Sequence, residues 1–150
     1  MLLGAKARFV GQIDASTEVN PARYDEMLKI LESEKPDVVF THWPIDQHRD
    51  HRTASVLVYD AWLKSKRSFD LFYFEVKTGL YQSQLFKPTH YVDITPVVER
   101  KKKACYLHSH GEQVYVKFTD LMHRFRGLES GCEFAEAFAM QPRKASATVF

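Results

Sequence analysis

Short apolar runs alternate along the chain with longer segments that have the apolar periodicity of helices. The run DVVF (Asp37–Phe40) is apolar without alternation, which is typical of a central strand buried on both faces of a parallel sheet. Two later runs, Asp70–Val76 and His90–Ile94, predict further strands. ARFVG (7–11) is an additional strand candidate, and CEFAEAFAM (132–140) predicts the last strand.

Helical patterns fill the intervals between these strands. Asn20-Pro21 combines an N-cap residue with a proline at the first helical position, and Pro36 ends this helix. Thr95-Pro96 predicts a second helix start of the same kind. Further helices are predicted from Asp50 to Lys64 and over much of Val114–Leu128. The alternation predicts an α/β sheet with helices on its faces.

Composition and charge limit the classes of function that fit this chain. With 150 residues, 45% of them hydrophobic, it is long enough for a single domain with its own core. A net charge of +2 argues against a nucleic-acid or membrane-surface protein, and no apolar run is long enough to cross a bilayer. Cys105 and Cys132 form no CxxC motif, so we expect reduced thiols and a cytoplasmic protein.

One loop concentrates residues that do chemistry. THWPIDQHRDHRTA (Thr41–Ala54) holds His48, Asp50 and His51 directly after the predicted DVVF strand, where α/β sheets bind ligands. If a helix begins near Asp50, His48 and His51 point toward one side, where imidazoles can bind zinc or move a proton. The alternative is a polar loop in which Asp50 caps the helix and the histidines are solvated. The spacing alone leaves both interpretations open.

The sequence around this loop resembles a known family. PDVVFTHWPIDQHRDHRTA is similar to the second signature of the PIG-L/LmbE family of zinc-dependent deacetylases, whose specific part is His-x-Asp-His. LGAKARFVG, YVDITPVVERKKKACYLHSH and CEFAEAFAM resemble other family segments in the same order. The resemblance implies a Rossmann-like, mostly parallel sheet. It also implies a hydrolase that removes an acetyl group from an N-acetylglucosamine-type conjugate.

The resemblance assigns roles to individual residues. His51 is expected to be a zinc ligand, His48 to stabilise the oxyanion or donate a proton, and Asp50 to orient a neighbour. Three residues are candidates for substrate binding, each with an alternative structural role in packing or at a helix end: Trp43, His108 and His110. Structural roles are expected for His42 and His90 at strand ends, and a surface position for His123.

The chain departs from the family in one respect. No HPDDE-type motif occurs in the 150 residues, so two of three expected zinc ligands and the expected general base are missing. We therefore expect an N-terminally truncated family member whose incomplete sheet exposes an edge and apolar surface. Two hypotheses remain: a deacetylase of a small amino-sugar conjugate, or a non-catalytic fragment or remnant that binds a sugar or a protein. Either is compatible with a homo-oligomer.

Overall fold

The computed structural model describes residues 2–76, 85–107 and 119–143. The elements in chain order are α1 (Pro21–Glu34), β1 (Val38–His42), α2 (Arg49–Lys64), β2 (Asp70–Phe74), β3 (His90–Asp93), a 3-10 turn (Thr95–Val97), α3 (Val98–Tyr106), α4 (Asp120–Ser130) and β4 (Ala135–Met140). The strands are hydrogen-bonded in the order β1-β2-β4-β3. β1 and β2 are parallel, whereas β2 and β4 are antiparallel. The predicted alternation of strands and helices is confirmed, with a mixed open sheet.

The chain separates into two compact units. The larger comprises Gln12–Thr89 and Phe138–Phe150, and the smaller comprises Met1–Gly11 and His90–Ala137. The single domain expected from chain length stays a prediction. Among the described residues, no helix is both long and apolar enough to cross a membrane.

In the larger unit, α1 packs against α2, and α2 packs against β1. Asn20 caps α1 as predicted, because its Oδ1 accepts a hydrogen bond of 3.0 Å from the backbone N–H of Arg23. Most of the core comes from α2, β2 and the turn between them, which supply these buried apolar residues: Leu57, Val58, Ala61, Trp62, Phe69, Leu71 and Tyr73. Trp62 also donates its indole N–H to the carbonyl of Phe69 at 2.9 Å, which ties α2 to the start of β2.

The prediction that β1 is a central strand buried on both faces is wrong for the described residues. β1 lies at the edge of the sheet, and its parallel pairing with β2 is the part that is confirmed. Thr41 faces the buried side, whereas Phe40 on the other side is 53% exposed. Phe40 contacts Phe72 and Phe138 on that side, with ring centroids 5.6 Å and 5.0 Å apart. The unalternating apolar run in β1 therefore does not mean that both faces of this strand are buried.

The smaller unit has its own core of Ile94, Val98 and Phe134. The predicted helix start at Thr95-Pro96 is a 3-10 turn followed by α3, and Thr95 is not its cap. The hydroxyl of Thr95 instead accepts a hydrogen bond of 3.1 Å from the backbone N–H of Phe134. The expectation of a surface position for His123 is also wrong, because this residue of α4 is buried.

Two further element predictions have clear outcomes. The predicted strand at 7–11 does not form, and Phe9 within it is 92% exposed. The helix predicted over much of 114–128 begins among the described residues as α4, while residues 114–118 lie outside them. α4 is followed by Gly131 in the left-handed conformation, with φ 80°.

Candidate functional site

The candidate site lies entirely in the larger unit, in the loop between β1 and α2. His42 is the last residue of β1, His48 is the N-cap of α2, and His51 lies in the first turn of that helix. The carboxyl end of a parallel strand thus meets the amino end of a helix, as the sequence predicts. Such ends are where α/β sheets bind ligands.

Asp46 organises the loop through both oxygens of its carboxylate. Its side chain is fully buried, with 0% of its area exposed. Oδ1 accepts a hydrogen bond of 2.7 Å from the backbone N–H of His48, and Oδ2 lies 2.9 Å from Nδ1 of His51. An ionised carboxylate can only accept, so the proton of a neutral His51 ring resides on Nδ1. Nε2 of His51 is then left with a free lone pair.

His48 has the opposite tautomer. Its Nδ1 accepts a hydrogen bond of 3.2 Å from the backbone N–H of Asp50, which makes His48 the side-chain cap of α2. A neutral ring that accepts at Nδ1 carries its proton on Nε2. The loop therefore presents one imidazole with an N–H donor and a second imidazole with a bare ring nitrogen.

The three imidazoles of the loop form a stack that continues to an aromatic ring of β2. The ring centroids of His48 and His51 are 4.6 Å apart, those of His51 and His42 are 4.0 Å apart, and those of His42 and Phe74 are 4.7 Å apart. Burial and, to a smaller extent, the nearby imidazole of His51 lower the pKa of His42 to about 4. His42 is therefore neutral at neutral pH. Among the described residues, its buried Nδ1 has no hydrogen-bond partner.

The donor atoms of the loop allow a test of whether the site fits a metal ion. His42, Asp46 and His51 each offer one ligand atom, and these atoms lie within 4.8 Å of one another. The His42 and His51 rings, however, are parallel to within 5°. Because a ring nitrogen's lone pair lies in the ring plane, two stacked rings cannot both point at one ion. The group therefore offers at most one imidazole to a given ion, and the pairing of His51 Nδ1 with Asp46 leaves Nε2 as the ligand atom of that ring.

Asp50 does not have the capping role that was one of its two expected roles; its role in orienting a neighbour stays a prediction. The N-cap of α2 is His48 and not Asp50. The Asp50 carboxylate accepts hydrogen bonds from the backbone N–H groups of Ala15 and Thr17, at 2.6 Å and 3.2 Å. Hydrogen bonding by the Thr17 side chain lowers the pKa of Asp50, and these backbone N–H groups lower it further. Asp50 therefore ties the 14–17 segment to α2, while Asp46 is the carboxylate paired with a histidine ring.

A second group of possible ligand atoms comprises Asp14, His48 and Asp50. Both carboxylate oxygens of Asp50 already accept backbone hydrogen bonds, and Asp14 is exposed. His48 also uses Nδ1 for its capping bond. This group is therefore explained by the capping of α2 and the anchoring of the neighbouring segment.

The predicted substrate-binding residues have separate outcomes. The Trp43 ring packs edge-on against Tyr73 and Phe86, with centroids 5.7 Å and 5.3 Å apart. Both partners are buried, so the packing role is the one that the geometry favours. His108 and His110 lie outside the described residues. His42, for which a structural role is expected, stacks directly on the ring of His51.

Comparison with known proteins finds a family likeness in the first part of the chain. Residues 1–62, which include the whole loop, match the family model described as PIG-L, GlcNAc-PI de-N-acetylase. None of the curated proteins matches the chain significantly.

Several solved structures share the fold. N,N'-diacetylchitobiose deacetylase from Pyrococcus horikoshii is 24% identical with a TM-score of 0.78, over 95% of this chain and 60% of its own. The conserved protein TT1542 from Thermus thermophilus is 21% identical with a TM-score of 0.73, over 92% and 66%. GalB, the 4-carboxy-2-hydroxymuconate hydratase from Pseudomonas putida, is 15% identical with a TM-score of 0.69, over 89% and 63%.

These likenesses confirm the predicted Rossmann-like α/β class. The chain spans 60% to 66% of the length of the first two of these structures. A deacetylase and a hydratase both have this fold, so the fold by itself does not identify the reaction.

Proposed function

We propose that the chain is a member of the PIG-L/LmbE family and that it takes part in removing an acetyl group from an N-acetylglucosamine-type conjugate. The family name refers to a GlcNAc de-N-acetylase, and a similar structure is a diacetylchitobiose deacetylase. Both names describe hydrolysis of the acetamide of an amino sugar. In that reaction water adds its oxygen to the carbonyl carbon, the C–N bond breaks, and acetate and a free amine leave.

The observation that carries the proposal is the pair of hydrogen bonds from which we infer complementary tautomers at His48 and His51. The bare Nε2 of His51 is suited to bind zinc, because a neutral imidazole nitrogen is a good ligand for that ion. Zinc, when bound, would lower the pKa of a water ligand and polarise a carbonyl oxygen. The Nε2–H of His48 is suited to donate to the oxyanion of a tetrahedral intermediate or to the departing amine.

The proposed activity needs more groups than this loop supplies. The 150 residues contain no HPDDE-type motif. We propose that a His and an Asp ligand, together with a carboxylate as general base, complete the site in the active form. The missing motif also favours a second candidate, a protein that binds an amino sugar without hydrolysing it.

An acetate-release assay separates the two candidates. N,N'-diacetylchitobiose and N-acetylglucosamine are incubated with zinc and with either the 150-residue chain or a version extended by an HPDDE-containing strand. We expect no measurable release from the 150-residue chain and zinc-dependent release from the extended version. Saturable sugar binding by both versions, with no release from either, would support the non-catalytic candidate and contradict the hydrolase.

His48 offers an internal check on the same assay. In the extended version, His48→Ala should lower turnover by roughly a hundredfold or more, because one oxyanion donor typically contributes that much. His90→Ala is a matched control, since His90 is an exposed histidine that begins β3. Equal turnover of the two variants would contradict the role proposed for His48.

A further inference from the structure

We propose that Asp46 is the positioning residue of this site, setting the tautomer of His51 and holding His48 in register with it. The consequence for zinc rests on the proposed function, whereas the tautomer itself does not. Asp46 lies two residues before the His-x-Asp-His stretch and has no role in the sequence-based assignment. It would act through His51 and not by touching substrate.

The Asp46 carboxylate is unusually deeply buried. An ionised group with 0% of its side chain exposed is costly unless its oxygens are satisfied. The two carboxylate oxygens of Asp46 reach the two candidate histidines: the backbone N–H of His48 at 2.7 Å and Nδ1 of His51 at 2.9 Å. One buried residue therefore fixes the position of the proposed donor and the orientation of the proposed ligand.

The loop is also anchored by contacts that do not involve the Asp46 side chain. Arg52 donates from Nη1 to the carbonyls of Asp46 and Gln47, at 2.6 Å and 2.9 Å. These bonds involve the backbone and not the Asp46 carboxylate. Replacing the carboxylate with an isosteric amide should therefore leave the course of the loop intact.

The substitution Asp46→Asn changes which hydrogen bonds this side chain can make. An amide has one accepting oxygen and one donating NH2 group, whereas the carboxylate accepts at both oxygens. If the amide oxygen keeps the bond from the His48 N–H, the NH2 group faces Nδ1 of His51. That nitrogen must then accept, so the proton of His51 moves to Nε2. The reverse orientation would place NH2 against the His48 N–H and leave a buried donor unsatisfied.

The test measures the tautomer directly, in the metal-free 150-residue chain. Long-range proton–nitrogen NMR distinguishes a protonated ring nitrogen from a bare one, and it also reports whether the ring is neutral. We expect Nδ1–H with bare Nε2 for His51 in the wild type, and the reversed pattern in Asp46→Asn. Asp50→Asn is the matched control, because that carboxylate bonds to Ala15 and Thr17, and it should leave the His51 tautomer unchanged.

A second measurement compares the metal affinity of variants made in the extended version. Asp46→Asn should weaken cobalt or zinc binding by roughly tenfold to a hundredfold, the usual effect of removing the hydrogen-bond partner of a ligand histidine. Asp50→Asn should bind the metal as the wild type does.

The outcomes separate this inference from the proposed function. A wild-type His51 with its proton on Nε2 overturns the positioning role, even if Asp46→Asn fails to fold. An unchanged tautomer in folded Asp46→Asn overturns it as well. The expected tautomers together with no metal binding in the extended version would support the positioning role and contradict the proposed function.

Discussion

The imidazole rings of His42 and His51 lie parallel, with centroids 4.0 Å apart and planes 5° apart. Their lone pairs lie in separate, parallel planes, so His42 is a stacking partner of His51 and not a second ligand to the same ion. His42→Phe should keep the stack with His51 and Phe74 and leave zinc affinity of the extended version within about twofold, since it removes no ligand. A large loss of affinity in titrations with a zinc-sensitive dye would identify His42 as a ligand.

The N-cap of α1 should make a modest contribution to stability. Asn20→Ala removes the acceptor of the Arg23 N–H and should lower the free energy of unfolding by about 1 kcal/mol. Trp62→Ala in the core of the same unit should cost about 3–5 kcal/mol. Denaturant titrations measure the free energy of unfolding of both variants, and equal losses would contradict the modest contribution expected of the cap.

Gly127 should resist the substitution that helices usually favour. Alanine in place of a helical glycine normally stabilises by about 1 kcal/mol. A Cβ at Gly127, however, would lie 2.6 Å from the backbone oxygen of Glu133 and 2.7 Å from that of Cys132. Gly127→Ala should therefore destabilise the protein by roughly 1–3 kcal/mol. Leu128→Ala, at a side chain 82% exposed, is the control and should have little effect; a stabilised Gly127→Ala would contradict the packing.

His123 predicts a dependence of stability on pH. Burial and, to a smaller extent, the charge of Lys101 lower the pKa of His123 to about 4. An unfolded histidine titrates at about 6.5, so between these values the unfolded state binds more protons. The stability contributed by keeping His123 neutral is therefore fully present above about pH 6.5 and is lost as the pH falls toward 4. The loss in the free energy of unfolding is on the order of 3 kcal/mol, at about 1.4 kcal/mol per pKa unit.

His123→Gln should flatten this part of the profile, whereas His90→Gln, at an exposed histidine, should preserve it. Thermal or denaturant unfolding between about pH 7 and 4 measures the difference. Parallel profiles for wild type and His123→Gln would show that another group is responsible for the loss.

Local chemistry made much of the fold predictable. Asn20-Pro21 predicted the start of α1 because the cap and the proline act within one turn of the chain. The failures depended on tertiary contacts. Thr95 looks like a cap, but its hydroxyl bonds to Phe134, far along the sequence. Phe40 looks like a core residue, but it is 53% exposed although α2 packs against its strand.

The sequence was enough to identify the segment that forms the site, but not which hydrogen bonds its residues make. Spacing and resemblance pointed to His48 and His51, and the principle that a carboxylate orients a ligand histidine pointed to Asp50. The ring is instead paired with Asp46, because the loop held by Arg52 turns that side chain inward. Sequence spacing cannot say which of two nearby carboxylates faces a ring, since that depends on the path of the loop.

The zinc content of two variants tests the central claim most directly. In the extended version, we expect His48→Ala to hold as much zinc per chain after dialysis as the wild type, because His48 donates a proton and binds no metal. His51→Ala should lose the ion, because it lacks the bare Nε2 that the pairing with Asp46 creates. Equal zinc content in His51→Ala and the wild type would contradict the assignment of His51 as the ligand.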